Sequence, residues 1–295
     1  MKVKFWGVRG SIAAPGMDTA RYGGNTTCIE VRTDEGHIII MDGGTGIRPL
    51  GLELLKALPV KANIFISHTH WDHIQGLPFF VPLFIPGNEI HIHGATDPIY
   101  GRDIQAVLGA QMEYCYFPVR QVELKADLNF HALREGDAVT VGDATIHTIL
   151  MNHPVLTFGY RIECNGRSVF FSGDHEPVQN IYPPDDEFYE QYQALVDEKR
   201  SRLVEFVRDT DVLILDAMYT EEEYPAKVGW GHGTFKSTLE LAKKANAKRV
   251  IFTHHEPIRT DDALDAKFAE IQASLSGQQG VPEPFIAAEG LEFEV

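Results

Sequence analysis

Ser67-His68-Thr69-His70-Trp71-Asp72-His73 follows directly on the apolar run Ala62-Asn63-Ile64-Phe65-Ile66, and the reading of this junction decides the fold. Histidine is the common metal ligand near neutral pH, because a neutral imidazole offers a nitrogen lone pair at little proton cost. In an extended stretch His68 and His70 share a face, while a helix starting just after them aims Asp72 and His73 at a neighbouring point. That arrangement suits two metal ions rather than one. A purely structural histidine cluster is the competing explanation.

Working outward, the first third reads as short strands near 3–8, 26–31 and 37–42, a helix near 47–58, and the strand at 62–67. Residues 87–135 are less regular, with a strand at 90–93, a helix near 102–112 and the aromatic stretch Tyr114-Cys115-Tyr116-Phe117-Pro118. Long connections of this kind are commonly lids or binding loops, so the segment is expected to be a lid-like insertion over its own site or a partner's. Strands follow near 138–151, 158–163 and 167–172, then a charged helix near 185–208 and the strand 212–215. A helix near 235–245, a strand at 250–253, a helix near 261–275 and a short strand near 291–294 complete the chain. Two β-rich halves, each followed by helices, predict an α/β (α+β) protein: a four-layer αββα sandwich forming one domain over 1–295. Periodicity alone also allows other mixed α/β layouts.

Composition narrows the function. A net charge of −16 over 295 residues, with Lys and Arg scattered, disfavours a stable nucleic-acid partner and favours a small substrate. Lys243, Lys244 and Lys248 read as a solvated helix face. No apolar stretch approaches the length of a membrane span and no signal segment opens the sequence, so a soluble, cytoplasmic protein without a membrane partner is expected. Cys28, Cys115 and Cys164 are far apart and odd in number, which points to buried free thiols rather than disulfides or a thiolate metal site.

HTHWDH resembles the HxHxDH signature of hydrolases with the metallo-β-lactamase fold. Three later strand ends extend the likeness: Asn152-His153-Pro154, Ser172-Gly173-Asp174 and Thr253-His254. The resemblance implies that His68, His70 and His153 hold one ion, that Asp72, His73 and His254 hold the other, and that Asp174 bridges them. Histidine at position 70, instead of a carboxylate, separates the chain from the redox-active di-iron relatives. A nitrogen and oxygen donor set without cysteine suits Zn²⁺, with Mn²⁺ or Fe²⁺ as alternatives. Two ions about 3.5–4 Å apart lower the pKa of a water between them and clamp the oxygens of an in-line displacement, so hydroxide attack is the expected chemistry. Asp42, in Met41-Asp42-Gly43-Gly44-Thr45-Gly46, resembles the family's early DxG motif, in which the aspartate supports the metal-ligand loop.

His232, in Gly229-Trp230-Gly231-His232-Gly233-Thr234, and Asp216, after the strand 212–215, resemble the phosphodiesterase branch that includes transfer-RNA 3′-processing nucleases. There a histidine paired with a carboxylate protonates the leaving oxygen or holds the phosphate, so His232 and Asp216, together with Asp72, are the catalytic candidates. The carboxylate departs from that branch, which usually shows glutamate in a HEAT-like segment where this chain has Asp216-Ala217-Met218-Tyr219, and no basic arm for gripping transfer RNA is recognisable. VRGSIAAPG, RYGGNTTC, GWGH and THHEP resemble a bacterial and phage group of cyclic-nucleotide-degrading or uncharacterised members of this fold, several of them homodimers. The expected activity is therefore a phosphodiesterase acting on small or cyclic nucleotides, with a homodimer possible. A lactonase or thioesterase and an RNA 3′-end nuclease are the alternatives, and a binding module without activity is a third. His91-Ile92-His93 lacks a following Asp-His and reads as structural, as do His37, His131 and His147. His175 and His255 neighbour presumed ligands and either line the pocket or point away from it. Arg9 and Asn25, on glycine-rich loops, read as turn residues, with contact to a substrate phosphate as the alternative.

Overall fold

Strands buried on both faces need apolar residues at every position rather than at alternate ones. Val212-Leu213-Ile214-Leu215 is such a run, and every residue of it is buried. The computed structural model describes residues 1–295 as two seven-stranded sheets packed face to face. The first sheet runs, in spatial order, β14 (Glu292–Glu294), β1 (Lys2–Gly7), β2 (Cys28–Arg32), β3 (Ile38–Met41), β4 (Lys61–Phe65), β5 (Glu89–Ala95) and β6 (Asp127–Leu133). The second runs β13 (Glu283–Ile286), β12 (Arg249–Thr253), β11 (Val212–Asp216), β10 (Arg167–Phe171), β9 (Phe158–Cys164), β8 (Ala144–Leu150) and β7 (Ala138–Val141). Six helices are α1 (Ile47–Leu54), α2 (Trp71–Ile74), α3 (Ile104–Ala110), α4 (Tyr189–Phe206), α5 (Phe235–Lys244) and α6 (Asp261–Leu275).

Alternation along each strand sorts its side chains between layers. Phe65, Phe171, Ile214 and Ile251 belong to the core between the sheets. Ile64 packs outward with Leu50 of α1 and Ile104 of α3, whereas Leu215 and Phe252 pack outward with Phe235 of α5 and Leu264 of α6. The result is the four-layer αββα sandwich that the sequence predicts.

Strands β3 to β6 are mutually parallel, and so are β10 to β13. Parallel strands deliver their following loops to one end of a sheet, which is where open α/β sheets bind ligands. Contacts between the sheets hold those ends together. The Tyr160 hydroxyl donates to the Ile66 carbonyl at 2.6 Å, and the Phe158 amide donates to the Ser67 carbonyl at 2.9 Å. On the other side, His255 N donates to Val8 O and Gly10 N donates to His255 O.

Several boundaries differ from the sequence reading. The segment 87–135 is not an insertion throughout: β5 and β6 are integral strands paired over seven residues, so only residues 96–126 leave the sheet. Strand β6 was hidden because its residues, Asp127-Leu128-Asn129-Phe130-His131-Ala132-Leu133, form an edge strand that water reaches and so carries no continuous apolar run. The region 138–151 is a hairpin, β7 and β8, turned at Gly142 with φ +57°. Strand β13 is missed because Pro284 interrupts it, which the edge position tolerates. Cys115 lies in the excursion away from the sheets and is exposed, whereas Cys28 and Cys164 are buried as expected. No helix is long and apolar enough to cross a membrane.

Arg9 is neither a turn residue nor a phosphate contact. Its side chain is fully buried, donates to the carbonyls of Gly23, Glu256 and Arg259, and faces Asp261 at 3.7 Å, locking the 8–10 segment onto the 255–261 segment.

Candidate metal centre

Loops from both sheets end at one point. His68 and His70 follow β4, Asp72 and His73 lie on the single turn α2, His153 follows β8, Asp174 follows β10, Asp216 closes β11 and His254 follows β12. Donor atoms of His68, His70, His153 and Asp174 lie within 4.8 Å of one another, and so do those of Asp72, His73, Asp174 and His254. All seven residues singled out in the sequence are thus brought together, and Asp174 is common to both groups. Its Oδ2 faces His68 Nε2 at 3.4 Å and His153 Nε2 at 3.8 Å, while Oδ1 faces His254 Nε2 at 3.0 Å and His73 Nε2 at 3.2 Å.

The donor chemistry fits cations. His73 Nε2 and His254 Nε2 approach to 3.2 Å, and His153 Nε2 and His70 Nδ1 to 3.1 Å, so imidazole nitrogens converge in pairs. His68 Nε2 and Asp174 Oδ1 are buried without a hydrogen-bond partner, a state that costs about 1–3 kcal/mol per group unless something else satisfies it. Burial pushes the imidazoles of His68, His70 and His153 below their ordinary range, so they are neutral and keep a lone pair. Burial opposes ionisation of Asp174 and Asp72 too, but the neighbouring histidines outweigh it and hold both below the usual carboxylate range. His73 is buried as well, yet Asp174, Asp72 and Asp42 raise it well above the ordinary imidazole range, where a divalent cation could take the place of its proton. Nitrogen and carboxylate donors without thiolate suit Zn²⁺, Mn²⁺ or Fe²⁺.

Surrounding groups fix which nitrogen each imidazole presents. Asp42, itself in a left-handed conformation at φ +62°, accepts from Ser67 N at 2.7 Å and Ser67 Oγ at 2.8 Å, and its Oδ2 binds His73 Nδ1 at 2.7 Å. His73 therefore turns Nε2 inward, the arrangement typical of a carboxylate supporting a ligating histidine. The Gly231 carbonyl does the same for His153 Nδ1 at 2.9 Å, and the Ser11 amide donates to Asp72 Oδ2 at 2.7 Å. Gly10 leaves room for the His254 ring, since a Cβ there would lie 2.3 Å from His254 Cε1. Sequence reasoning missed these last three positions: two act through backbone atoms and one through an absent side chain, none of which has a residue signature.

Beside the shared Asp174, His232 Nδ1 binds Asp216 Oδ2 at 2.8 Å and stands 3.8 Å from Asp174 Oδ2. Burial opposes charge on His232, but Asp216 and Asp174 push it up to about 9. Donor atoms of Asp174, Asp216, His232 and His254 also cluster within 4.8 Å, so this pair adjoins the centre directly.

The remaining candidates lie elsewhere. His175 Nδ1 accepts from the Asn152 amide at 3.3 Å and His255 Nε2 binds the Ala287 carbonyl at 2.8 Å, and neither belongs to the donor groups, although His175 lines a cavity beside His153 and Asp216. Asn25 binds Glu289 through its side chain at 2.9 Å. His37 and His147 stand opposite Glu35 and Glu163 at the surface. His91 and His93 pair with His131 and Asn63 inside the first sheet.

Comparison with known proteins agrees with this geometry. Residues 37–255 match the family model described as "Beta-lactamase superfamily domain". Ribonuclease BN of Proteus mirabilis is 28% identical over 237 residues, covering 68% of this chain and 74% of that protein. Ribonuclease Z of Porphyromonas gingivalis is 26% identical over 258 residues, covering 77% and 79%. Among solved structures, the metallo-β-lactamase fold protein YhfI from Bacillus subtilis superposes with a TM-score of 0.67 at 19% identity, covering 99% of each chain.

Proposed function

The chain belongs to the β-lactamase superfamily, and we propose that it is a metal-dependent phosphodiesterase that cleaves small or cyclic nucleotides. The observation that carries this reading is the His232–Asp216 pair, joined at 2.8 Å and set against the carboxylate shared by both donor groups. Cleaving a phosphodiester releases an alkoxide, a poor leaving group that gains from a positioned acid, whereas a thioester releases a thiolate that departs without one. With Nδ1 committed to Asp216, the Nε2 of His232 is the nitrogen left to carry a proton to the departing oxygen. Asp216 Oδ1 also accepts from Met218 N at 3.1 Å, so the carboxylate is held while it orients the ring.

His68, His70, His153 and Asp174 would hold one divalent ion and Asp72, His73, Asp174 and His254 the other, with zinc best matched to the histidine-rich set. Ions held there supply Lewis-acid stabilisation of phosphoryl oxygens and lower the pKa of water. The chain's own part is to fix the imidazoles through Asp42 and the Gly231 carbonyl, and to place the acid. We assign the 96–126 excursion a lid role, supported by the edge-on packing of its Phe117 against Phe79, just beyond α2, with ring centroids 5.2 Å apart.

A net charge of −16 favours a small substrate over a polyanion gripped along its length. The second reading is an RNA 3′ end, favoured by the relatives named ribonuclease BN and ribonuclease Z. The test is hydrolysis of 3′,5′- and 2′,3′-cyclic mononucleotides and of a 3′-extended transfer RNA by metal-loaded protein beside a chelated control. Chelator-sensitive turnover of a cyclic nucleotide supports the first reading, cleavage of RNA alone the second. Turnover of lactones or thioesters without either phosphodiester overturns both.

A further inference from the structure

A buried carboxylate outside the donor cluster has no part in the chemistry above. Glu176 is only 5% exposed, and a desolvated carboxylate is costly unless donors surround it. Its donors all come from one loop: Tyr224 Oη at 2.6 Å and Gly229 N at 2.8 Å to Oε1, and Gly231 N at 2.8 Å to Oε2. Gly229 and Gly231 adopt φ of +86° and +89°, a left-handed backbone that turns both amides toward the same side chain. The backbone of Glu176 is anchored in turn to the residue before His153: Glu176 N donates to the Asn152 carbonyl and Asn152 Nδ2 donates to the Glu176 carbonyl, both at 2.9 Å. The circuit closes on His153 itself, because the Gly231 carbonyl binds its Nδ1 at 2.9 Å.

We propose that Glu176 is a positioning residue for the metal centre: by clasping the 224–231 loop to the Asn152–His153 segment, it fixes the carbonyl that orients His153. The inference rests on the metal-dependent reading above but makes a narrower claim. His153 belongs with His68 and His70, whereas His73 is oriented independently by Asp42, on the first sheet. Loss of the clasp should therefore weaken one ion and spare the other. Glutamine at 176 cannot accept at both ends, so its amide nitrogen would oppose either the Gly231 amide or the Gly229 amide and Tyr224 hydroxyl.

The experiment titrates Zn²⁺ into chelator-stripped full-length protein in competition with a chromophoric chelator, with thermal unfolding measured in parallel. Wild type is expected to bind two ions per chain. Glu176→Gln should lose about 10–100-fold in affinity at one site, the range typical of removing a ligand's supporting partner, with the second site unchanged. Tyr224→Phe, which deletes one donor and leaves both amides, should give a smaller loss at the same site and decides the matter if Glu176→Gln does not fold. His153→Ala identifies that site by abolishing it. Equal weakening of both sites, or wild-type affinities in both variants, overturns the proposal. A wild type that binds no metal overturns the functional reading and this inference with it, whereas two tight ions left unaltered in both variants overturn only the inference.

Discussion

His68-Thr69-His70, just past the end of β4, and His91-Ile92-His93, within the neighbouring β5, are the same three-residue pattern, yet only the first belongs to the donor cluster. The difference lies in position along the strand. His68 and His70 come after β4 has ended, where the chain is free to aim both rings at residues arriving from the second sheet. His91 and His93 lie inside β5, paired with Asn63 and Phe65 on one side and with Asn129 and His131 on the other. His93 lies flat on Phe65 with ring centroids 4.3 Å apart, and His91 meets His131 at 2.9 Å. Carboxylates complete the contrast. Asp72 and Asp174 enter the first cluster, whereas Glu89 alone, at the surface, approaches the second. Shared spacing gives two imidazoles a common face, but a strand end and converging anions turn that face into a cation site.

The largest effect follows from removing the anion on which the contrast depends. Asp174→Ala should empty both metal positions and reduce phosphodiester turnover to the chelated background, as read by bound metal per chain after gel filtration. His91→Ala and His93→Ala should leave metal content unchanged, and a loss of bound metal in either would break the comparison. Next in size, His232→Ala should lower kcat by about 10²–10⁴-fold, the usual worth of a general acid, while metal content stays. Unaltered kcat with full metal content would remove His232 from the acid role.

The legibility of the molecule follows the same division. HTHWDH could be read because ligand type and local spacing coincide within one short segment, and the later ligands because their strand-end segments resemble those of the metallo-β-lactamase fold. The sandwich could be read because two β-rich halves are each followed by helices, with apolar runs such as Val212–Leu215 marking inner strands. Edge strands β6 and β13 could not, since water on one side removes that signal and Pro284 contradicts it. Arg9 was misjudged because a buried arginine held by carbonyls of residues 23, 256 and 259 has no local mark. Glu176 was likewise invisible, since its donors lie roughly fifty residues away on a loop whose shape depends on two left-handed glycines.

Support of the ligands gives the third test. Asp42→Asn keeps the size of the side chain but removes the charge facing His73 Nδ1, and it should weaken one metal position by about 10–100-fold. Because Asp42 reaches His73 directly and His68 only through Ser67 Oγ, the larger loss should fall on the position that Glu176→Gln spares. Calorimetric titration of both variants against the same ion checks the separation.

The smallest effect belongs to the second histidine cluster, and acid exposes it. Burial, with help from His131 and His91, pushes His93 down to about 3, against an ordinary value near 6.5 in the unfolded chain. As the pH falls below about 6.5 the unfolded chain takes up this proton while the folded chain resists it until about 3. The unfolded state then binds more protons, so stability falls with falling pH across that window and is unaffected above it. At pH 6 the expected loss from this residue alone is about 1 kcal/mol relative to pH 8. Metal-site histidines titrate too, so the informative quantity is the difference between wild type and His93→Gln in urea unfolding of chelated protein at the two pH values. A wild-type stability that falls no further than that of His93→Gln would mean that His93 is charged in the fold. The second cluster would then hold a charged buried histidine without the converging carboxylates that raise His73 in the first.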